Sequence, residues 1–334
     1  MKVIAGVAVL AASLAAAGCG GDGSDGVLTV YSGREEELVA PLFERFEETT
    51  GIDVEVRYGD SAELAATIAE EGDNSPAEVF FAQDPGSLGA VADQLVALPE
   101  STLDRVGDDF RDPEGRWVGT SGRVRVIAYD TDALAEAEVP DSVFELTDER
   151  WRGKVGIAPT NASFQAFVTA MRLAEGDDRT RAWLEEMKDN GTRTYEKNTP
   201  IVEAVAAGEI ELGLVNHYYL YLVKAEQPDA SVANHFLAPG DPGGLVSVAG
   251  AGVLATADDA DDAEAFVEFL LSDDAQRFYV DEAEEAEYPL VEGIDPKAGL
   301  RPLDELRGPE VDLGAPGAEL PATVELLRET GWLS

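Results

Sequence analysis

The sequence predicts an α/β protein of two interwoven lobes with a cleft between them. Three observations predict it. Strand-like and helix-like stretches alternate along most of the chain, the order of a largely parallel sheet covered by helices. At 334 residues the chain exceeds what one hydrophobic core usually fills. No shift in composition divides it and no internal repeat is visible. The lobes are therefore expected to share crossover strands rather than follow one another.

Residues 27–31 read as a buried strand bounded by Ser32 and Gly33. Helical spacing over 35–49 puts Leu38, Leu42, Phe43 and Phe46 on one side, and Gly51 stops the helix. Residues 52–57 alternate apolar and polar as a second strand, 61–71 read as a helix, and 78–81 as a third strand. The stretch 123–129 is a strand suited to crossing between lobes. Helices over 164–174, 180–188 and 201–208, with a strand over 212–215, describe a second α/β unit. The apolar, Gly-rich stretch 244–254 returns the chain to the first lobe, and helices over 262–271, 274–279 and 323–329 complete it. This order assigns 27–124 plus about 249–299 to an N-lobe and about 125–248 plus 300–334 to a C-lobe. Ligands of open α/β sheets bind beyond the carboxyl ends of strands, so the loops at 31–35, 81–87, 160–163 and 216–219 are expected to face the cleft.

Charge and rare residues narrow the function. With 67 Asp and Glu against 24 Lys and Arg, the net charge is −43, which excludes nucleic acid as a partner because phosphate contacts need a basic surface. The acids are dispersed, as a solvated acidic surface would have them, and do not identify a ligand. The one cysteine, Cys19, allows neither an intramolecular disulfide nor a CxxC pair. Two histidines, His217 and His235, leave zinc and Ser–His–Asp schemes short of parts. There is no GxSxG, HExxH or P-loop, so the chain is not expected to be an enzyme.

The first residues are an address. An apolar, alanine-rich run over 3–17 follows Lys2 and is too short to span a bilayer comfortably. It ends in Ala16-Ala17-Gly18-Cys19 and is followed by a Gly-rich stretch. Small residues directly before a cysteine resemble a bacterial lipobox, which makes 1–18 a signal peptide, Cys19 a lipidated N-terminus and 19–26 a flexible tether. The protein is then expected outside the cytoplasm, held to the cell membrane by lipid at Cys19.

The most informative run is Asn216-His217-Tyr218-Tyr219, directly after an apolar strand. Two adjacent tyrosines at a strand end either pack a core or reach into a cleft. Phenolate is a hard anionic ligand suited to Fe³⁺, whose charge lowers a phenol pKa from its usual ~10.

Eight stretches in order carry a family resemblance over about 28–290: LTVYSGR at 28–34, SPAEVFF at 75–81, SGRVRV at 121–126, WRGKVG at 151–156, YEKN at 195–198, NHYY at 216–219, DPGGLVS at 241–247 and EYPL at 287–290. Their order resembles the ferric-iron-binding periplasmic proteins of bacterial ABC importers, in the transferrin-like superfamily. The resemblance implies a periplasmic-binding-protein fold, a monomer, Fe(III) as cargo, a membrane permease as partner, and Tyr218 and Tyr219 as two phenolate ligands. Where the family often has a histidine after the first strand, this chain has Glu35, a hard oxygen donor in its own right. Where others use a glutamate after the third strand, it has Gln83 with Asp84 beside it; both also suit helix N-caps before Pro85. The family site also holds a synergistic phosphate or carbonate. The resemblance seats that anion on Asn161, Ala162, Ser163, Asn198 and Asn216, with Arg123 adding charge; the backbone N–H groups of the 160–163 loop, which leads into an apolar helix from Phe164, favour an anion independently. The other reading of the same fold is a different cleft solute: a phosphorylated sugar, thiamine, a polyamine or another metal.

Overall fold

In the computed structural model, residues 26–282, 286–306, 308–309, 311 and 315–333 are described. The signal segment and Cys19 lie outside the described residues.

The chain runs β1 (Leu28–Ser32), α1 (Glu36–Thr50), β2 (Val54–Tyr58), α2 (Ser61–Glu71), β3 (Val79–Ala82), α3 (Pro85–Ala90), α4 (Glu100–Leu103) and β4 (Val118–Asp130). It continues through β5 (Val155–Ile157), α5 (Ala162–Glu175), α6 (Asp177–Asp189), β6 (Arg193–Thr194), α7 (Asn198–Ala206), β7 (Leu212–Asn216), α8 (Tyr219–Glu226) and β8 (Val232–His235). Then come β9 (Val246–Val253), α9 (Ala260–Leu270), α10 (Asp273–Asp281) and α11 (Ala315–Glu329).

Local chemistry sets these limits. Helix α1 buries Leu42, Phe43 and Phe46 as its spacing predicts, but Val39 joins them in the core where Leu38 was expected, and Leu38 is only partly buried. It ends where Gly51 turns left-handed at φ 77° and returns its N–H to Glu47 O. Helix α2 starts because the Asp60 carboxylate accepts from the Ala62 and Glu63 N–H groups, satisfying donors that a helix start leaves open.

The strands hydrogen-bond in the order β2-β1-β3-β9-β4-β7-β5-β6, with β8 also on β4. Strands β1, β2 and β3 are parallel, whereas β9 lies antiparallel to both β3 and β4. The decisive element is β4. Its first part pairs with β9 from Val118↔Ala251 to Val124↔Val246, and its last part pairs with β7 from Arg125↔Asn216 to Tyr129↔Leu212. One strand therefore belongs to both lobes, and β9 brings the chain back, as the alternation of elements predicts.

The expected crossing strand began at 123, but β4 begins at Val118. Residues Gly119, Thr120, Ser121 and Gly122 carry no apolar alternation, and long-range pairing with β9 makes them a strand. Strands β6 and β8 were not foreseen either. They are edge pieces of two and four residues, too short to show a period.

One core joins Phe43, Phe46, Phe81 and Phe266, with Phe43 stacked on Phe266 at 5.2 Å and Phe46 meeting it edge-on at 5.1 Å. Aromatic pairs of this kind add ~0.5–1.5 kcal/mol beyond their burial. On the other side of β4, Phe164, Phe167, Trp183 and Leu212 fill a second core, and the Trp183 Nε1–H donates to Val143 O. Helix α11 packs against both α3 and α5, so it touches both lobes.

A net charge of −43 on so folded a chain repels itself. Salt shortens the screening length from ~10 Å at 0.1 M to ~3 Å at 1 M. The melting temperature is expected to climb by several degrees over that range in calorimetry; a flat or falling curve would contradict a self-repelling surface.

Candidate metal centre

Strand β7 ends at Asn216, His217 makes the turn, and Tyr218 caps α8 in αR geometry. The backbone thus leaves the strand alternation, which would send adjacent side chains to opposite faces. As a result the phenol rings lie side by side, with centroids 4.3 Å apart and 34° between planes. The Tyr218 hydroxyl donates to the Tyr219 oxygen at 3.0 Å. Tyr218 is buried and Tyr219 half-buried.

His217 holds this turn. Its Nδ1 accepts from the Val124 N–H at 3.2 Å, which assigns the proton to Nε2, and Nε2 donates to Ala286 O at 3.0 Å. Burial lowers its pKa to about 4, so it is neutral at physiological pH. It supports the tyrosines rather than standing beside them as a ligand.

The Arg125 guanidinium is fully buried and feels both tyrosines. Nη1 donates to Ser163 O at 3.2 Å and reaches Ser163 Oγ at 3.4 Å, while Nη2 donates to Leu214 O at 3.0 Å. Its plane lies over Phe164 and Phe167. Burial draws its pKa down to about 9, while Tyr219 and Tyr218 push it up, so it stays cationic at neutral pH.

Beside it, Asn161 Oδ1 caps α5 by accepting from the Ser163 N–H at 3.0 Å and also accepts from Ser163 Oγ at 2.6 Å. Asn198 Nδ2 donates to the same Oδ1 at 3.1 Å and to Ser163 Oγ at 3.3 Å. Asn198 is fully buried, yet its Oδ1 has no hydrogen-bond partner. Asn216 is buried opposite Arg125 in the β4–β7 register. The expected anion residues Asn161, Ser163 and Asn198 are thus in mutual contact, with Ala162 opening α5 beside them.

From the other lobe, Glu35 is exposed at the start of α1 and makes no capping hydrogen bond. Gln83 lies at the end of β3 with a buried Oε1 that has no partner. Both carboxylate oxygens of Asp84 are used on Ser87, which makes it the N-cap of α3. Arg123 is directed away from the Asn161 loop: its Nη2 donates to Gln83 O and its Nε lies 3.9 Å from Glu287 Oε1.

Glu287 is the buried acid of this region. Arg34 Nη2 donates to Oε2 at 2.8 Å and Nη1 to Oε1 at 3.3 Å, and Ser121 Oγ donates to Oε2 at 2.6 Å. Burial alone would raise its pKa, but the Arg34 and Arg123 charges outweigh that and hold it at about 2. Among the described residues, no cluster of three or more His, Cys, Asp or Glu could hold a metal ion. A metal here would depend on phenol oxygens. Two surface cavities, of about 480 Å³ beside Arg277 and Lys297 and about 460 Å³ beside Leu28 and Asp258, are not lined by the tyrosines.

A model of the bacterial extracellular solute-binding protein family matches residues 74–302. The chain belongs to that family. A solute-binding protein of this kind is a non-enzymatic, extracytoplasmic transport component, and among the described residues no helix is long and apolar enough to cross a membrane. The chain is 34% identical over 337 residues to the major ferric iron-binding protein of Neisseria meningitidis serogroup B, covering 99% of both chains. It is 32% identical over 332 residues to the Fe(3+)-binding periplasmic protein of Serratia marcescens, covering 98% of this chain and 97% of the other. Its fold superposes on iron-bound HitA from Pseudomonas aeruginosa with a TM-score of 0.82 at 32% identity, covering 91% of this chain and 99% of that one.

Sequence reasoning did not single out Arg125 or Glu287. Arg123 and Arg125 are two apart on one strand and share a face, so spacing alone does not separate them. Glu287 is one acid among many, and only its place beside Tyr288-Pro289 marks it.

Replacing Glu287 with Gln leaves buried arginines without their counter-charge. It is expected to lower unfolding free energy at neutral pH by about 3–5 kcal/mol. Because the carboxylate pKa is depressed in the fold, its contribution is present above pH ~4.5 and is lost as pH falls toward 2. The deficit of Glu287→Gln in urea unfolding should therefore shrink across that window; a deficit independent of pH would contradict the ion pairing.

Proposed function

We infer that this solute-binding protein captures ferric iron in the cleft between its lobes and hands it to the permease of an ABC importer. The observation that carries this reading is the pair of Tyr218 and Tyr219 hydroxyls, 3.0 Å apart at a helix start and backed by a buried guanidinium. Two hard oxygen donors side by side on one turn suit Fe³⁺ far better than a sugar or a polyamine.

On the C-lobe side, Tyr218 and Tyr219 act as phenolate ligands. A synergistic phosphate or carbonate sits at the start of α5, held by Asn161, Ala162, Ser163, Asn198 and Asn216. Arg125, in contact with Ser163, is the guanidinium best placed to balance the anionic charge there, and Arg123 serves the other lobe. On the N-lobe side, Glu35 supplies a carboxylate and Gln83 Oε1 a neutral oxygen, while Asp84 is occupied as a helix cap. The lobes, 27–124 with about 249–299 and about 125–248 with 300–334, close by hinge motion over the ion. The protein works as a monomer, held to the membrane through lipid at Cys19.

Ferric iron added with phosphate or bicarbonate is expected to produce a visible tyrosinate-to-iron charge-transfer band. The band should vanish in Tyr218→Phe with Tyr219→Phe, while Glu35→Ala should keep it but retain iron less well after desalting. Absence of any band in the wild-type protein, with no iron retained, would sink the reading. Separately, Cys19→Ala expressed in a lipoprotein-processing host should move the protein from the membrane fraction to the soluble one; unchanged fractionation would remove the lipid anchor.

A further inference from the structure

We propose that Glu287 is a positioning residue that ties the two N-lobe loops of the cleft, at 33–35 and 83–84, to one buried carboxylate. The proposal rests on the ferric-iron reading for its consequence but not for its geometry. One arm runs through Arg34, the residue before Glu35, whose guanidinium grips both Glu287 oxygens at 2.8 and 3.3 Å. The second arm runs through Arg123, whose Nε approaches Oε1 at 3.9 Å while its Nη2 donates to the Gln83 backbone oxygen. All the participants are nearly sealed from water: Glu287 and Ser121 are 0% exposed, Arg34 2% and Arg123 5%. A fork-to-carboxylate pair in such surroundings fixes direction as well as distance.

The carboxylate itself is firmly seated. Tyr288 exchanges backbone hydrogen bonds with Gly122 at 2.7 and 2.8 Å, which lays its segment antiparallel against β4. Leu290 N–H donates to the buried Gln276 Oε1 at 2.7 Å. Just before Glu287, Ala286 adopts φ 51°, a left-handed conformation that costs energy for a residue with a Cβ. Ala286 O also accepts from His217, beside the tyrosines. The segment thus meets the tyrosine turn on one side and both N-lobe loops on the other, and the EYPL run acquires a task in the site.

The test compares wild type, Glu287→Gln and Arg34→Lys by amide hydrogen exchange of the apo protein and by transfer of iron to a competing chelator such as EDTA. Glu287→Gln should speed exchange in peptides covering 32–36 and 82–85 well beyond its effect on α8, where protection falls only as far as the lower global stability requires. It should also shed iron roughly 10- to 100-fold faster, the usual effect of losing a partner outside the coordination shell, with the charge-transfer band still formed. Arg34→Lys keeps the charge and safeguards folding but loses the fork, so it should loosen 32–36 and leave 82–85 unchanged. Unaltered exchange in both loops overturns the tie, whether or not the protein binds iron. Exchange sped by the same factor in both loops and in α8 overturns it in favour of a purely structural role. Loosened loops with iron released at the wild-type rate overturn the positioning role. A wild-type protein without a band overturns the ferric reading instead, and exchange still decides the tie.

Discussion

Strand β4 is the constraint on which the rest of this molecule depends. Thirteen residues in one extended run are hydrogen-bonded to β9 over their first part and to β7 and β8 over their last. Each lobe is incomplete without its share of this strand, so neither can tilt without working against β4 and its partner β9. The tyrosine turn hangs on this axis: the Val124 N–H is held by His217 Nδ1, and the His217 N–H returns to Val124 O. The tyrosine turn therefore lies where the lobes are physically joined.

Much of this was legible in the sequence, for local reasons. Helix α1 declares itself through Leu42, Phe43 and Phe46 and its glycine stop, and the tyrosine pair through its place after an apolar strand. The loop at 160–163 was visible as polar residues opening an apolar helix. What escaped was written in long-range pairing. Thr120 and Ser121 look like a loop until β9 lies alongside, and β8 becomes a strand only because β4 offers its edge.

The two arginines of β4 show the limit most clearly. Arg123 and Arg125 have the same residue type, the same strand face and Val124 as a shared neighbour. Yet the crossing point falls between them, so one charge is bound to an N-lobe carboxylate and the other lies among C-lobe aromatics beside the tyrosines. Periodicity reports the face of a strand but not which body that face meets. Asp84 teaches the converse: a residue that sequence offered as cap or ligand is fully occupied by Ser87.

The position of β9 also sets the order in which the chain can become compact. It lies between β3 and β4, so the first lobe keeps an open β3 edge until residues 246–253 arrive. Contacts between such distant segments make folding slow, because the loop must close before pairing rewards it. A nascent chain lacking its last third has no finished lobe to collapse into. For an extracytoplasmic protein that delay is useful, since the polypeptide stays threadable until translocation has delivered the strand that completes the sheet.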